Sequence, residues 1–568
     1  MTNTAVSNPI LPGFHPDPSI VRVGADYYVA NSTFEWFPGI RLHHSRDLVR
    51  WTPVGYALTS SESLPLRGVP DSGGVWAPSL SYHAGRYWLV FAVIYTVGGP
   101  FKDLDIFLIS APSVTGPWSE PVQLGGGGFD PSLFHDADGR SWLVNMTWDH
   151  RPGHSPFAGI VLQELELSTG RLLGRPRTVL TNSELIEGPN LYRRDGWYYL
   201  MLAEGGTGWN HGILMARSRS LGGPYELDPR GSLLTSRDNP GLALQKAGHG
   251  ELVETPTGEW YLAHLASRPV LSRGERRSIL GRETCLQQVT WTEDNWLRLT
   301  NGTHWPSEQV AVPPPKPETP YAAASTNGRF NGAVLGDEWC SLREPMDDSW
   351  VNLTERPGYL RLRGRQSMRS RFALSLVAQR ITRTRLTATT SLDYHPQYRG
   401  QRAGLVFWYD TTNHYLLGVT GTDDGPRIFL ATSIDGTYTE HITDLPATAP
   451  VHLRGELRDA HLTFTAAIPT AAIPTAAIPT AATPTAAGLA APTANPTAPT
   501  ADPTAPTADP TAPIDNLTWH AVGPTLDAGV LSDDYGTTLR FTGAFVGLVS
   551  EDLPTTTLPA DFHHFHLT

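Results

Sequence analysis

The sequence is poor in several things, and each shortage excludes a class. Of its 568 residues only two are cysteine, Cys285 and Cys340, far apart in the chain. That rules out a disulfide framework and gives no zinc-ligand spacing, so both read as unreactive thiols. Charge is scarce: Asp, Glu, Lys and Arg make up 17% of the chain, below the roughly 25% usual for soluble proteins. The balance is acidic, with a net charge of -12 and no basic run. Such a surface repels phosphate backbones and excludes nucleic acid as a partner. Long apolar runs are missing too. The longest, residues 87–97, is too short to span a bilayer, so no membrane partner is expected. The N-terminal MTNTAVSNPI has no basic region leading into an apolar stretch, and a cytoplasmic location is expected.

What is present is turn chemistry and rings. The chain has 54 Gly, 49 Pro and 17 Trp. This is the profile of a strand-rich, turn-rich protein, and the length requires at least two domains. The first half carries an internal repeat. Short aromatic strands recur, marked at near-equal spacing by Tyr28, Trp88, Trp142, Tyr199 and Tyr261, each just after a hairpin turn such as Asp138-Gly139-Arg140 or Asp195-Gly196. A second element precedes each turn: Asp17-Pro18-Ser19, Ala77-Pro78-Ser79, Asp130-Pro131-Ser132, Glu187-Gly188-Pro189-Asn190 and His249-Gly250-Glu251. One small sheet cannot bury both its faces, and radial stacking of sheets solves that problem. The fivefold recurrence predicts a five-bladed β-propeller over residues 1–309. A sandwich with regular turns is the competing reading.

The innermost strands of a propeller line its axis, so residues at equivalent strand starts converge at one mouth. Three of the five starts carry a carboxylate: Asp17, Asp130 and Glu187. A lone Asp at a strand start more often caps a turn. Three at corresponding positions force their pKa values apart, which is the signature of a working site. Paired carboxylates across a bond are the machinery of glycoside hydrolysis, one protonated to donate and one ionised to activate water. A third could hold the acid's proton by its field. Phe34, Trp36, Trp76 and Trp148 lie at or beside inner-strand positions and suit the apolar faces of a sugar ring. Arg282, in GRET (281–284), could bond sugar hydroxyls.

These residues sit in motifs. GFHPDPSIVR (13–22), STFEWFPG (32–39), SGGVWAPSLSY (72–82), GFDPSLFHD (128–136), NMTWDHR (145–151), EGPNLY (187–192), AEGGT (203–207) and LGRET (280–284) resemble glycoside hydrolase family 43, and most closely its bacterial β-xylosidases with a propeller followed by a β-sandwich. The resemblance covers nearly the whole chain. It implies inversion, with Asp17 the general base, Glu187 the general acid, and Asp130 the pKa modulator that also orients the acid. It further implies that Phe34, Trp76, Ala77, Trp148, Thr207, His249 and Arg282 line the subsite for the terminal sugar. His249 would stand near the axis, where some relatives hold a water or a calcium ion. One histidine does not make a metal site, so neither metal nor cofactor is assigned.

Beyond VAVPPPKPETP (310–320), read as a stiff connector over 310–322, alternating strands predict a concanavalin-like β-sandwich over residues 323–568. Such folds also occur in glycan-binding modules. The resemblance implies instead that a loop of this domain, SDDYGTTLRFTGAFVG (532–547), closes the pocket through Phe541, with Arg540 standing where some relatives place a second aromatic. Residues 466–513 repeat AAIPT and then APTADPT, with two charges and no aromatic. This segment cannot bury a core and reads as a tolerated, disordered insertion between two neighbouring strands. The function expected is an exo-acting, inverting xylan 1,4-β-xylosidase that releases D-xylose from the non-reducing ends of short xylo-oligosaccharides. The rival is an α-L-arabinofuranosidase or an enzyme with both activities; a glycoside phosphorylase would need a phosphate site, for which only Arg282 offers itself. A sugar-binding propeller without catalysis is the alternative from another class. The partner is a small oligosaccharide, and the resemblance implies a homo-oligomer.

Overall fold

The computed structural model describes residues 4–313, 328–468 and 517–568. The latter part of the expected connector and most of the low-complexity segment lie outside these residues. The chain is nearly all β. Five four-stranded antiparallel units follow one another, the fourth with one short extra strand. Their innermost strands are Ser19–Val23, Gly74–His83, Ser132–His135, Ile186–Arg194 and Gln245–Glu254. The five-bladed propeller is therefore present, blade by blade along the chain. The tight hairpins come from residues that accept a left-handed backbone. At Asp195-Gly196 both φ angles are positive, 48° and 76°, which matches the twist of the flanking strands.

The second strands of the blades read as nearly continuous apolar runs because neighbouring blades cover both of their faces. Trp260–Ser267 and Arg86–Ile94 are buried along almost their whole length. The ring closes with a two-stranded ribbon in which Thr4–Ser7 pairs antiparallel with Gln309–Val312. Val310 and Val312 thus belong to the propeller's closing strand, at the beginning of the stretch read as a connector.

The second domain stacks two large sheets over the core of Leu405, Phe407, Tyr415 and Leu453. His461–Ala467 pairs with His520–Ala521, so the strands on either side of the low-complexity segment are neighbours. One sheet of the sandwich ends on a propeller strand: Trp36–Phe37 pairs with Cys340–Leu342. Trp36 stacks on Phe545 at 3.7 Å and is fully buried. It is an interdomain core residue and not a sugar platform. Burial of so large a ring across the seam contributes to holding the two domains together. Both cysteines are buried and unpaired.

Candidate active site

The inner strands begin with a shared backbone device. Asp17, Ala77, Asp130, Gly188 and His249 occupy equivalent slots, and all five have positive φ, from 36° to 56°. Register shifts mark the same place in the second, fourth and fifth blades. Such bulges re-aim side chains, and here they turn the strand starts toward one mouth of the axis. This corrects one expectation. Glu187 does not share the slot of Asp17 and Asp130. It stands one residue ahead, and Gly188 takes the left-handed position in its blade.

The mouth opens into a cavity of about 570 Å³, within the range of small-ligand sites. Asp17, Asp130 and Glu187 meet at its floor, and Phe34, Trp76, Trp148, Thr207, His249, Arg282 and Phe541 are all on its wall. Ala77 is not. It faces a separate axial cavity of about 20 Å³ behind the floor. Its backbone N–H donates to Ser32 Oγ at 2.7 Å, and that hydroxyl donates to Asp17 Oδ2 at 2.7 Å. Ala77 therefore supports the position of Asp17 from behind.

The three carboxyls differ in protonation. Burial pushes Asp17 upward, but Arg282, His249 and the Ser32 hydroxyl outweigh it and hold it below the ordinary aspartate range. Arg282 Nη1 lies 2.8 Å from Asp17 Oδ1, and His249 Nδ1 lies 3.7 Å away. Glu187 is pushed up to about 7 by burial and by the charge of Asp17, against the opposing pull of Lys102 and Arg282. Asp130 is raised well above the usual range by burial, Glu187 and Asp17. It accepts the Gly188 N–H at 3.1 Å, which ties it to the peptide that carries Glu187. Burial, the charge of Asp17 and the mutual repulsion of Glu187 and Asp130 therefore favour keeping a proton on that pair. An ionised base facing a protonated acid is the arrangement that acid–base hydrolysis needs.

Rings and donors complete the wall. Phe34 and Trp76 are 5.6 Å apart, and Trp76 and Phe541 meet edge to face at 5.2 Å. Thr207 Oγ1 and Arg282 Nε are buried without a hydrogen-bond partner among the described residues, and both suit sugar hydroxyls. Phe541 arrives from the sandwich. The Arg540 guanidinium pairs within the sandwich, with buried Asp410 and with half-exposed Asp435, each at 2.8 Å. It anchors the loop that its neighbour presents to the pocket. Among the described residues no three His, Cys, Asp or Glu side chains converge as a metal set.

Two lysines are among the wall residues that the sequence did not single out. Lys102 Nζ sits 4.7–5.1 Å from the rings of Trp148, Trp76 and Phe129, an aromatic cage for an ammonium ion. Lys246 is buried against Asp533 and Asp534 of the sandwich at 3.0 and 2.6 Å. A signal existed: the chain holds only three lysines, Lys102, Lys246 and Lys316, among 43 Lys and Arg. Both of the described ones line this pocket.

A propeller whose axial carboxyls are split between ionised and protonated forms in an aromatic pocket defines a glycoside hydrolase. The chain belongs to glycosyl hydrolases family 43, matched over residues 6–297. Residues 327–483 and 504–568 match the beta xylosidase C-terminal concanavalin A-like domain. The chain is 41% identical to xylosidase/arabinosidase 43B of Humicola insolens, over 99% of this chain and 97% of that protein. It is 38% identical to a xylan 1,3-beta-xylosidase of a Vibrio species, over 99% of both. The crystal structure of xylan beta-1,4-xylosidase from Bacillus halodurans C-125 superposes with a TM-score of 0.87 at 43% identity, covering 99% of this chain and 100% of that one.

Proposed function

We propose that the chain is an exo-acting β-D-xylosidase that releases D-xylose, with inversion, from the non-reducing ends of short β-1,4-xylo-oligosaccharides. The observation that carries this is the split trio at the floor of a pocket closed on one side by the sandwich. Asp17, ionised and gripped by Arg282, takes a proton from the attacking water. Glu187, protonated near neutral pH, gives its proton to the leaving oxygen. Asp130 orients the acid through the Gly188 peptide. A pocket walled by a second domain favours attack on chain ends over attack within a polymer. The test is proton NMR of p-nitrophenyl β-D-xyloside hydrolysis, which frees a single xylose: inversion predicts that its α-anomer appears first, and initial β-xylose would overturn the assignment.

A second reading has its own support. The relative at 41% identity is named for both xylosidase and arabinosidase. Comparing the two p-nitrophenyl glycosides decides the ranking, and a clear preference for the α-L-arabinofuranoside would reverse it. The same proposal includes a homo-oligomer, tested by light scattering, and a cytoplasmic location suited to imported oligosaccharides, tested by cell fractionation.

A further inference from the structure

Ser72 is almost wholly buried, at 1% exposure, and its backbone is left-handed with φ 60°. A serine in that conformation is strained, and strain persists where surroundings over-determine it. Here the surroundings come from both domains. Ser72 N–H donates to the Glu35 carboxyl at 3.2 Å. The preceding Asp71 pairs with Arg343 of the sandwich at 2.7 Å and accepts from Thr411. Arg343 also donates through Nε to Val69 O at 2.6 Å. The sandwich thus grips the 69–72 loop from behind.

From the front, Ser72 grips the pocket wall. Its carbonyl accepts the Trp76 indole N–H at 3.0 Å, and its hydroxyl accepts the backbone N–H of Phe541 at 3.0 Å. The other side of the Phe541 residue is also held, since Arg282 Nη2 donates to Phe541 O at 3.0 Å. Two propeller residues therefore clamp the backbone of one sandwich residue, and one of the two also holds Asp17.

We propose that Ser72 is a positioning residue whose hydroxyl, with Arg282, clamps Phe541 and so sets the aromatic wall against which the terminal sugar packs. The inference rests on the pocket binding a pentosyl unit. Ser72 does not touch the reacting atoms, and its hydroxyl, the group the substitutions remove, acts only through the Phe541 ring.

The experiment pairs kinetics with amide exchange. Ser72→Ala removes the acceptor, and Ser72→Gly removes it while accepting the left-handed backbone without strain. Both should raise KM for p-nitrophenyl β-D-xyloside roughly five- to tenfold, the size of one lost hydrogen bond, with kcat changed less. Adding either substitution to Phe541→Ala should cost nothing more, because the ring it places is gone. Hydrogen exchange should quicken at least about tenfold in the peptide spanning 536–544. Unchanged KM, or effects that multiply in the double variants, would overturn the clamp. Unchanged exchange would overturn it even if the wild type hydrolysed neither glycoside, a result that would by itself sink the xylosidase reading.

Discussion

Arg282 reaches Asp17 with one guanidinium nitrogen at 2.8 Å while the other reaches the carbonyl of Phe541 at 3.0 Å. One side chain thus joins the ionised carboxylate of the propeller to the capping loop of the sandwich. It opposes the effect of burial on Asp17 and keeps that carboxylate charged. In its proposed role of general base Asp17 works ionised, so lowering its pKa extends activity to lower pH. Arg282→Met should move the acid limb of the kcat/KM profile upward in pH. It should also cost at least about tenfold at the optimum, as expected for losing a hydrogen bond to a charged group. A pH profile of the variant measures both.

Asp17→Asn and Glu187→Gln keep the shape of each side chain and remove its proton chemistry. Each should lose at least about a hundredfold in kcat; Glu187→Gln should keep its thermal midpoint, whereas Asp17→Asn should lower it by leaving the buried Arg282 guanidinium without its counter-charge. A wild type that binds xylo-oligosaccharides but hydrolyses none would instead favour the non-catalytic sugar-binding propeller.

Lys102 pulls the pKa of Glu187 down, opposing burial and Asp17. In its proposed role of general acid Glu187 works protonated, so its pKa sets the alkaline limb, which should fall near pH 7. Removing the charge with Lys102→Met lets that pKa rise. The alkaline limb should then move to higher pH, and an unmoved limb would separate Lys102 from the acid.

Glu35 lies fully buried at the domain seam, and burial raises it to about 8 from 4.5. Between those values the folded state keeps a proton that the unfolded chain has released. Stability therefore falls as pH rises through this window, by up to about 1.4 kcal/mol per pH unit from this one group. Glu35→Gln removes the effect. The variant should gain thermal midpoint relative to wild type at pH 8 compared with pH 5. The difference between the two proteins isolates Glu35 from the other raised carboxyls.

Gly281 has φ 73°, and a Cβ there would come within 2.7 Å of Gly543 in the capping loop. Gly281→Ala should push that loop off the pocket and strain the backbone. Activity should fall more than about tenfold, the size of about 1.4 kcal/mol, with a loss of thermal stability measurable by circular dichroism.

The propeller and the carboxylates were legible in the sequence because both are local or periodic. Each blade repeats a strand start and a hairpin, and hydrophobic patterning reports such units directly. Asp17 and Asp130 could be found from their places in that repeat. Glu187 could be found too, but its one-residue offset could not, because it depends on a bulge in backbone geometry. Trp36 and Ala77 were misplaced for a related reason. A ring beside the inner strand can face the pocket or the seam, and only the partner across the seam, Phe545, decides which.

By itself the sequence determined that five strand-rich units close on an acidic, aromatic axis and that a second β domain follows. What only the tertiary structure decided is how that axis becomes a closed site. Phe541 and Ser72 are 469 positions apart, and no pattern in the chain links them. Lys102, Lys246 and Arg282 likewise act across domain or blade boundaries. Their partners are set by packing, and the protonation split of the trio is set by burial and by the charged partners that different blades bring to the axis.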